Sequence, residues 1–159
     1  MAFNCTSHRP ECFHEIATQH DDKWVVLTSI GYDTDGPLTY YFIVHTYPSE
    51  ESTEFAFCIT EVNNSNGLKR TIYDSSASNA IIPSACRQHI SAILQDFTRK
   101  LISSSRPEHF FMETYCVNLP AAALVKYTIL CQIFSSLGYT ITPIPTQTGK
   151  NKWVMKLLA

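Results

Sequence analysis

Four side chains of the kind that hold zinc, Cys5, His8, Cys12 and His14, lie close together near the start of the chain. Zinc takes thiolate sulfur and imidazole nitrogen in tetrahedral sites. Its usual ligands come as two pairs, each two to four residues apart, with a longer loop between. Here a single residue separates Cys12 from His14, which would point their side chains apart in a strand. A loosely packed N-terminal arm over residues 1–22, with incidental Cys and His, is the competing reading. A second constellation would support nucleophilic or acid–base chemistry. A cysteine nucleophile needs a depressed pKa and a neighbouring imidazole. His45 and Cys58 lie on consecutive expected strands and can meet across a hairpin, as a dyad or as ordinary cross-strand neighbours. His109 and Glu113 are four residues apart on one expected strand, hence on one face, either as an acid–imidazole pair or as a solvated sheet edge. These four are the catalytic candidates of a small hydrolase or nuclease-like enzyme.

Other motifs stop short of a mechanism. His89-Ile90-Ser91 matches one His-x-Ser element of phosphodiester chemistry, but it sits in an expected helix and has no second copy. Gly149-Lys150 lacks both the upstream glycine and the Ser/Thr of a phosphate loop. With five unclustered glycines, no nucleotide cofactor is expected, and no other cofactor is implied. Aromatic and basic residues offer a third kind of site. Tyr40, Tyr41 and Tyr47 put rings on both faces of one strand, and Lys150, Lys152 and Trp153 gather in a final hairpin. Tyrosine on an uncovered sheet face is a good interface residue, because it buries area at low entropic cost. These six residues are the candidate contacts for a protein partner.

The elements that must position these groups follow from hydrophobic spacing. Trp24–Tyr32 and Leu38–Tyr47 read as strands about Asp35-Gly36-Pro37. Glu54–Val62 and Leu68–Tyr73 read as strands about Asn63–Gly67, where Asn-Gly tolerates the positive φ of a tight turn. Asp74–Ala80 reads as a linker. From Pro83, Cys86, Ile90, Ile93, Phe97 and Leu101 recur at helical steps and form one apolar stripe. Glu108–Val117 reads as a strand, Asn118 as an N-cap, and Ala121–Leu137 as a helix apolar nearly all round. Tyr139–Ile144 and Lys152–Leu158 form the last hairpin. The expected fold is α+β in one domain: a mainly antiparallel twisted sheet, with a four-strand N-terminal meander and then helix-strand-helix-hairpin, and two helices on one face.

Composition narrows the classes of function. Only 16% of the 159 residues are charged, against about 25% in typical proteins. A weakly charged surface, with net charge −2, associates readily. That favours a homo-oligomer or a protein partner and argues against nucleic acid. The opening residues contain no apolar run of secretory type and no stretch is long enough to span a membrane, so a cytoplasmic setting is expected. Of six cysteines, Cys58, Cys86, Cys116 and Cys131 fall in apolar-periodic elements and are expected to be free and buried.

The segments Ile90–Phe97 (I-x-x-I-L-x-D-F), Arg106–Phe111 (R-P-E-H-F-F) and Lys126–Tyr139 (K-Y-T-I-L-C-Q-I-F-S-S-L-G-Y) together resemble small uncharacterised α+β proteins of bacteria and their phages. The resemblance is one of hydrophobic pattern over about a third of the chain and carries no functional residues. It implies a mobile-element or accessory protein that acts by binding another protein. The expected function is therefore non-enzymatic and regulatory: direct binding that inhibits a host or defence protein. The apolar helix Ala121–Leu137 raises the companion question of whether its own sheet or a second chain covers it.

Overall fold

A computed structural model describes residues 3–6, 18–20 and 23–159, without side chains for 18–20. Three long strands form its centre: β3 (Lys23–Asp33), β4 (Leu38–Pro48) and β5 (Thr53–Asn63). Each alternates, so every second residue turns inward. On β4 the inward set is Tyr40, Phe42 and Val44, all buried. The two connections use side chains as local acceptors. Asp33 Oδ1 takes the Asp35 N–H, and Asn63 Oδ1 takes the Ser65 N–H. Gly67 adopts φ +73°, and its N–H donates to the Asn63 carbonyl at 2.7 Å. β6 (Lys69–Ile72) then pairs antiparallel with β5, which completes the expected meander.

Two short strands extend the sheet beyond β3. β1 (Phe3–Cys5) pairs with Gly31–Asp33, and β2 (Thr18–His20) with Lys23–Val25. A Cβ on Gly31 would stand 2.3 Å from the Phe3 ring, so glycine is what lets β1 close onto the sheet. Of the metal candidates, Cys5 therefore belongs to a strand, while His8, Cys12 and His14 lie outside the described residues.

Among the described residues there are three helices rather than the expected two. α1 (Ser75–Ile81) lies where the sequence read as a linker. Asp74 caps it, its Oδ1 accepting from Ser76 N at 2.6 Å and Ala77 N at 3.2 Å, and Ile81 and Ile82 anchor it in the core. α2 (Ser84–Ser105) buries Ile90, Ile93, Leu94, Phe97, Leu101 and Ile102, close to the expected stripe; Cys86 is only half-buried. Pro83 stands one place before it as N-cap rather than in its first turn. α3 (Ala121–Ser136) buries Tyr127, Leu130, Ile133 and Phe134. Its N-cap is Pro120, because Asn118 takes φ 52° and turns the loop instead. α3's apolar surplus is largely absorbed within the chain. The outward residues Ala121, Val125, Thr128, Gln132 and Ser135 are mostly small or polar. No described helix is long and apolar enough to cross a membrane.

β7 (His109–Glu113) is shorter than the expected Glu108–Val117. It joins β9 (Lys152–Leu157), which pairs with β8 (Tyr139–Ile144), giving strand order β1-β3-β4-β5-β7-β9-β8. The β5–β7 contact is parallel and covers only Thr53↔Phe110 and Glu54↔Phe111. The β5–β6 ladder begins at Ile59↔Ile72. Between these limits, residues 55–58 have a ladder partner on the β4 side alone. The sheet is thus forked. Phe134 of α3 closes the core over the β5–β7 junction, its ring edge-on to Phe55 at 5.2 Å and to Phe110 at 5.1 Å.

Candidate functional site

Period-two alternation sends His45 and Tyr47 of β4, and Glu54 and Cys58 of β5, to the sheet face opposite Phe42 and Phe55. All three helices share their core with the inner face. On the outer face a row of rings crosses strands and loops. Tyr47 lies 5.1 Å from His45, His45 stacks with Tyr73 at 6.4 Å, and Tyr73 stacks with Tyr115 at 5.8 Å. Tyr73 follows β6 and Tyr115 follows β7, so the row spans the fork. Its far end is open to solvent: Tyr115 is 61% exposed and Tyr73 38%.

The row's polar groups are perturbed by burial. His45 is 7% exposed, and its Nε2 has no hydrogen-bond partner among the described residues. Burial, assisted by the Lys23 charge, lowers its pKa to about 4, so the ring is neutral at pH 7. Burial raises the Tyr47 hydroxyl, and its hydrogen bond with Glu54 raises it further. Cys58 shares a hydrogen bond with the Tyr73 hydroxyl, and burial nonetheless pushes its thiol upward.

The catalytic candidates do not converge. His45 and Cys58 are diagonal neighbours on one face, Ile43↔Cys58 and His45↔Ala56 being the registers. A neutral imidazole beside a thiol raised by burial is the reverse of an activated thiolate. His109 is exposed at the start of β7, Nδ1 3.3 Å from Ser52 Oγ, and Glu113 pairs with Lys150 at 3.4 Å. Although His109 and Glu113 share β7, its two ends hold different partners.

The interface candidates divide similarly. Tyr40 is fully buried, its ring 5.2 Å from Phe3, and is not available as a surface contact. Tyr41 and Tyr47 are half-buried on the outer face. Lys152 pairs with Glu51 and lies over the Phe111 ring at 4.5 Å, and Trp153 stacks on Tyr127 at 5.4 Å. Each of the hairpin's two candidate lysines is thus matched by a carboxylate. Cys58 alone among the described cysteines is buried; Cys86, Cys116 and Cys131 are free but half-buried. Cys5 meets Cys86, and burial raises its thiol to about 11. No metal-ligating group of three assembles among the described residues.

Two hollows flank Phe57 and Tyr73 at the fork. One, of about 220 Å³, opens beside Tyr47, Glu54, Glu113 and Tyr115. The other, of about 240 Å³, lies between β5–β6 and the three helices, with an apolar floor including Phe42, Ile59 and Leu94. Lys126 enters it from α3, where it is the only charged residue. Its Nζ donates to Ser75 Oγ at 3.0 Å and sits over the rings of Phe57 and Tyr127. Burial lowers the Lys126 pKa, with Cys116 acting the other way. Neither Lys126 nor Tyr115 is a site residue that motif spacing would find. A lone charge in an apolar helix was the available signal for the first, and nothing local marks the second.

No family model, curated protein or solved structure matches the chain.

Proposed function

We propose that this chain is a non-enzymatic regulatory protein that binds a host or defence protein directly. Its setting would be cytoplasmic, and its origin the phage or mobile-element group its hydrophobic pattern resembles. The observation that carries the reading is the ring row, and above all its exposed end. Tyr73 and Tyr115 hold each other in a fixed stack while leaving a broad aromatic surface in water. Pre-ordered tyrosines lose little entropy on binding, and such rings are common energetic centres of interfaces. Glu54, Glu113 and Lys150 around the adjoining hollow supply a polar rim.

The test is paired. Light scattering after size exclusion determines whether the bound partner is a second copy. Affinity capture from the native host is then compared between wild type and Tyr115→Ala. A protein held by wild type and released by the variant supports the reading. A monomer whose captured proteins are identical for both forms rules it out.

A further inference from the structure

The hollow beneath the helices has a one-sided chemistry. Among the described residues its lining includes two cations, Lys126 and Arg87, and no carboxylate, in a chain of net charge −2. Hydroxyls of Ser75, Ser78, Ser91 and Tyr73, the Cys58 thiol and the side-chain amide of Asn79 make up the neutral polar part of its lining. Among the described residues neither cation is paired with a carboxylate. Lys126 spends one donor on Ser75 Oγ, 3.0 Å away, although an ammonium has three. Arg87 gives Nε to the Ile82 carbonyl at 3.4 Å and Nη2 to the Asn79 carbonyl at 3.1 Å, out of five N–H donors. A half-buried ammonium with no counter-charge is costly to keep. Phe57 and Tyr127, at 5.5 and 5.4 Å, offset part of that cost. The remainder of the lining is apolar, so the space suits a ligand with one charged end.

We propose that this cleft binds a small organic anion, an aromatic or branched apolar body bearing a single carboxylate or phosphate. The head would meet Lys126 and Arg87 and the body would lie on Phe57, Ile59 and Ile72. At about 240 Å³ the cleft is smaller than a drug-sized pocket, which limits the body to roughly two fused rings. The cleft shares Tyr73 with the ring row but not Tyr115, so Lys126→Met and Tyr115→Ala test ligand binding and partner binding separately.

Isothermal titration calorimetry with naphthoate, naphthyl phosphate and the uncharged naphthamide tests it. At least one anion should bind about tenfold more tightly than naphthamide, the margin of a charge-assisted contact. The better of the two anions identifies the head group. Lys126→Met should abolish that margin while leaving naphthamide unchanged, and Lys126→Arg should retain it. Ser91→Leu, which fills the cleft without altering its charge, should block all three compounds and decides the matter if Lys126→Met does not fold. Equal binding of naphthoate, naphthyl phosphate and naphthamide, failure of both anions to bind, or unaltered binding to folded Lys126→Met or Ser91→Leu would each overturn the proposal.

Discussion

Acid should destabilise this protein through His45 before its carboxylates titrate fully. The ring is 7% exposed with a pKa near 4, whereas an unfolded histidine titrates near 6.5. Between those values the unfolded chain binds a proton that the folded chain refuses, so stability falls as pH falls. Below about pH 4 both states are protonated and the loss is complete. The linkage relation gives about 2 kcal/mol lost between pH 7 and pH 5, and about 3 kcal/mol over the whole window. With a urea m-value of about 2 kcal/mol/M, the first figure moves the unfolding midpoint by about 1 M. Urea titrations of wild type and His45→Phe at both pH values separate this effect from the carboxylates, which the two proteins share. Phe also removes the unpartnered Nε2, so the variant should equal or exceed wild type at pH 7 by about 1 kcal/mol. If both proteins lose the same midpoint between pH 7 and pH 5, His45 is not the group refusing the proton.

Three further outcomes follow from packing and backbone geometry. Phe134→Ala removes the ring wedged edge-on between Phe55 and Phe110 and should cost about 3–5 kcal/mol in chemical unfolding. Asp74→Ala strips the cap of α1 and should cost about 1 kcal/mol, with faster amide exchange confined to residues 75–81. Gly149→Ala forces a side chain onto φ +81° with its Cβ 2.7 Å from Asn118 Oδ1; a thermal melt should show a loss of about 1–2 kcal/mol.

The strands were legible because a sheet buried on one face imposes strict alternation. Tyr40, Phe42 and Val44, or Phe55 and Ile59, cannot be shifted by one residue without inverting the core. α1 was not legible. Its seven residues are Ser, Ala and Asn with one Ile, carry no apolar period, and are helical because Asp74 caps them and Ile81–Ile82 are drawn inward. Asn118 misled for a related reason. It has the chemistry of a cap, but its N–H donates to the Gly149 carbonyl at 2.8 Å, which ties the loop to the last hairpin instead. The parallel β5–β7 contact is two residue pairs long, too short to mark either strand. Tyr40 was read as a surface ring because alternation assigns faces without saying which face the helices will cover. The Tyr73–Tyr115 stack joins residues from separate segments, and only the folded chain brings them together.

The fork between β5 and β7 also bears on how this chain reaches its fold. The meander from β3 to β6 closes over short connections, and β7, β8 and β9 form a second ladder among themselves. Among the described residues only Thr53↔Phe110 and Glu54↔Phe111 pair one ladder with the other, across more than fifty residues of chain. Loop closure over that distance is paid before those pairs give anything back. What holds the two ladders together is therefore mostly side-chain packing, with Phe134 of α3 bridging Phe55 on one and Phe110 on the other.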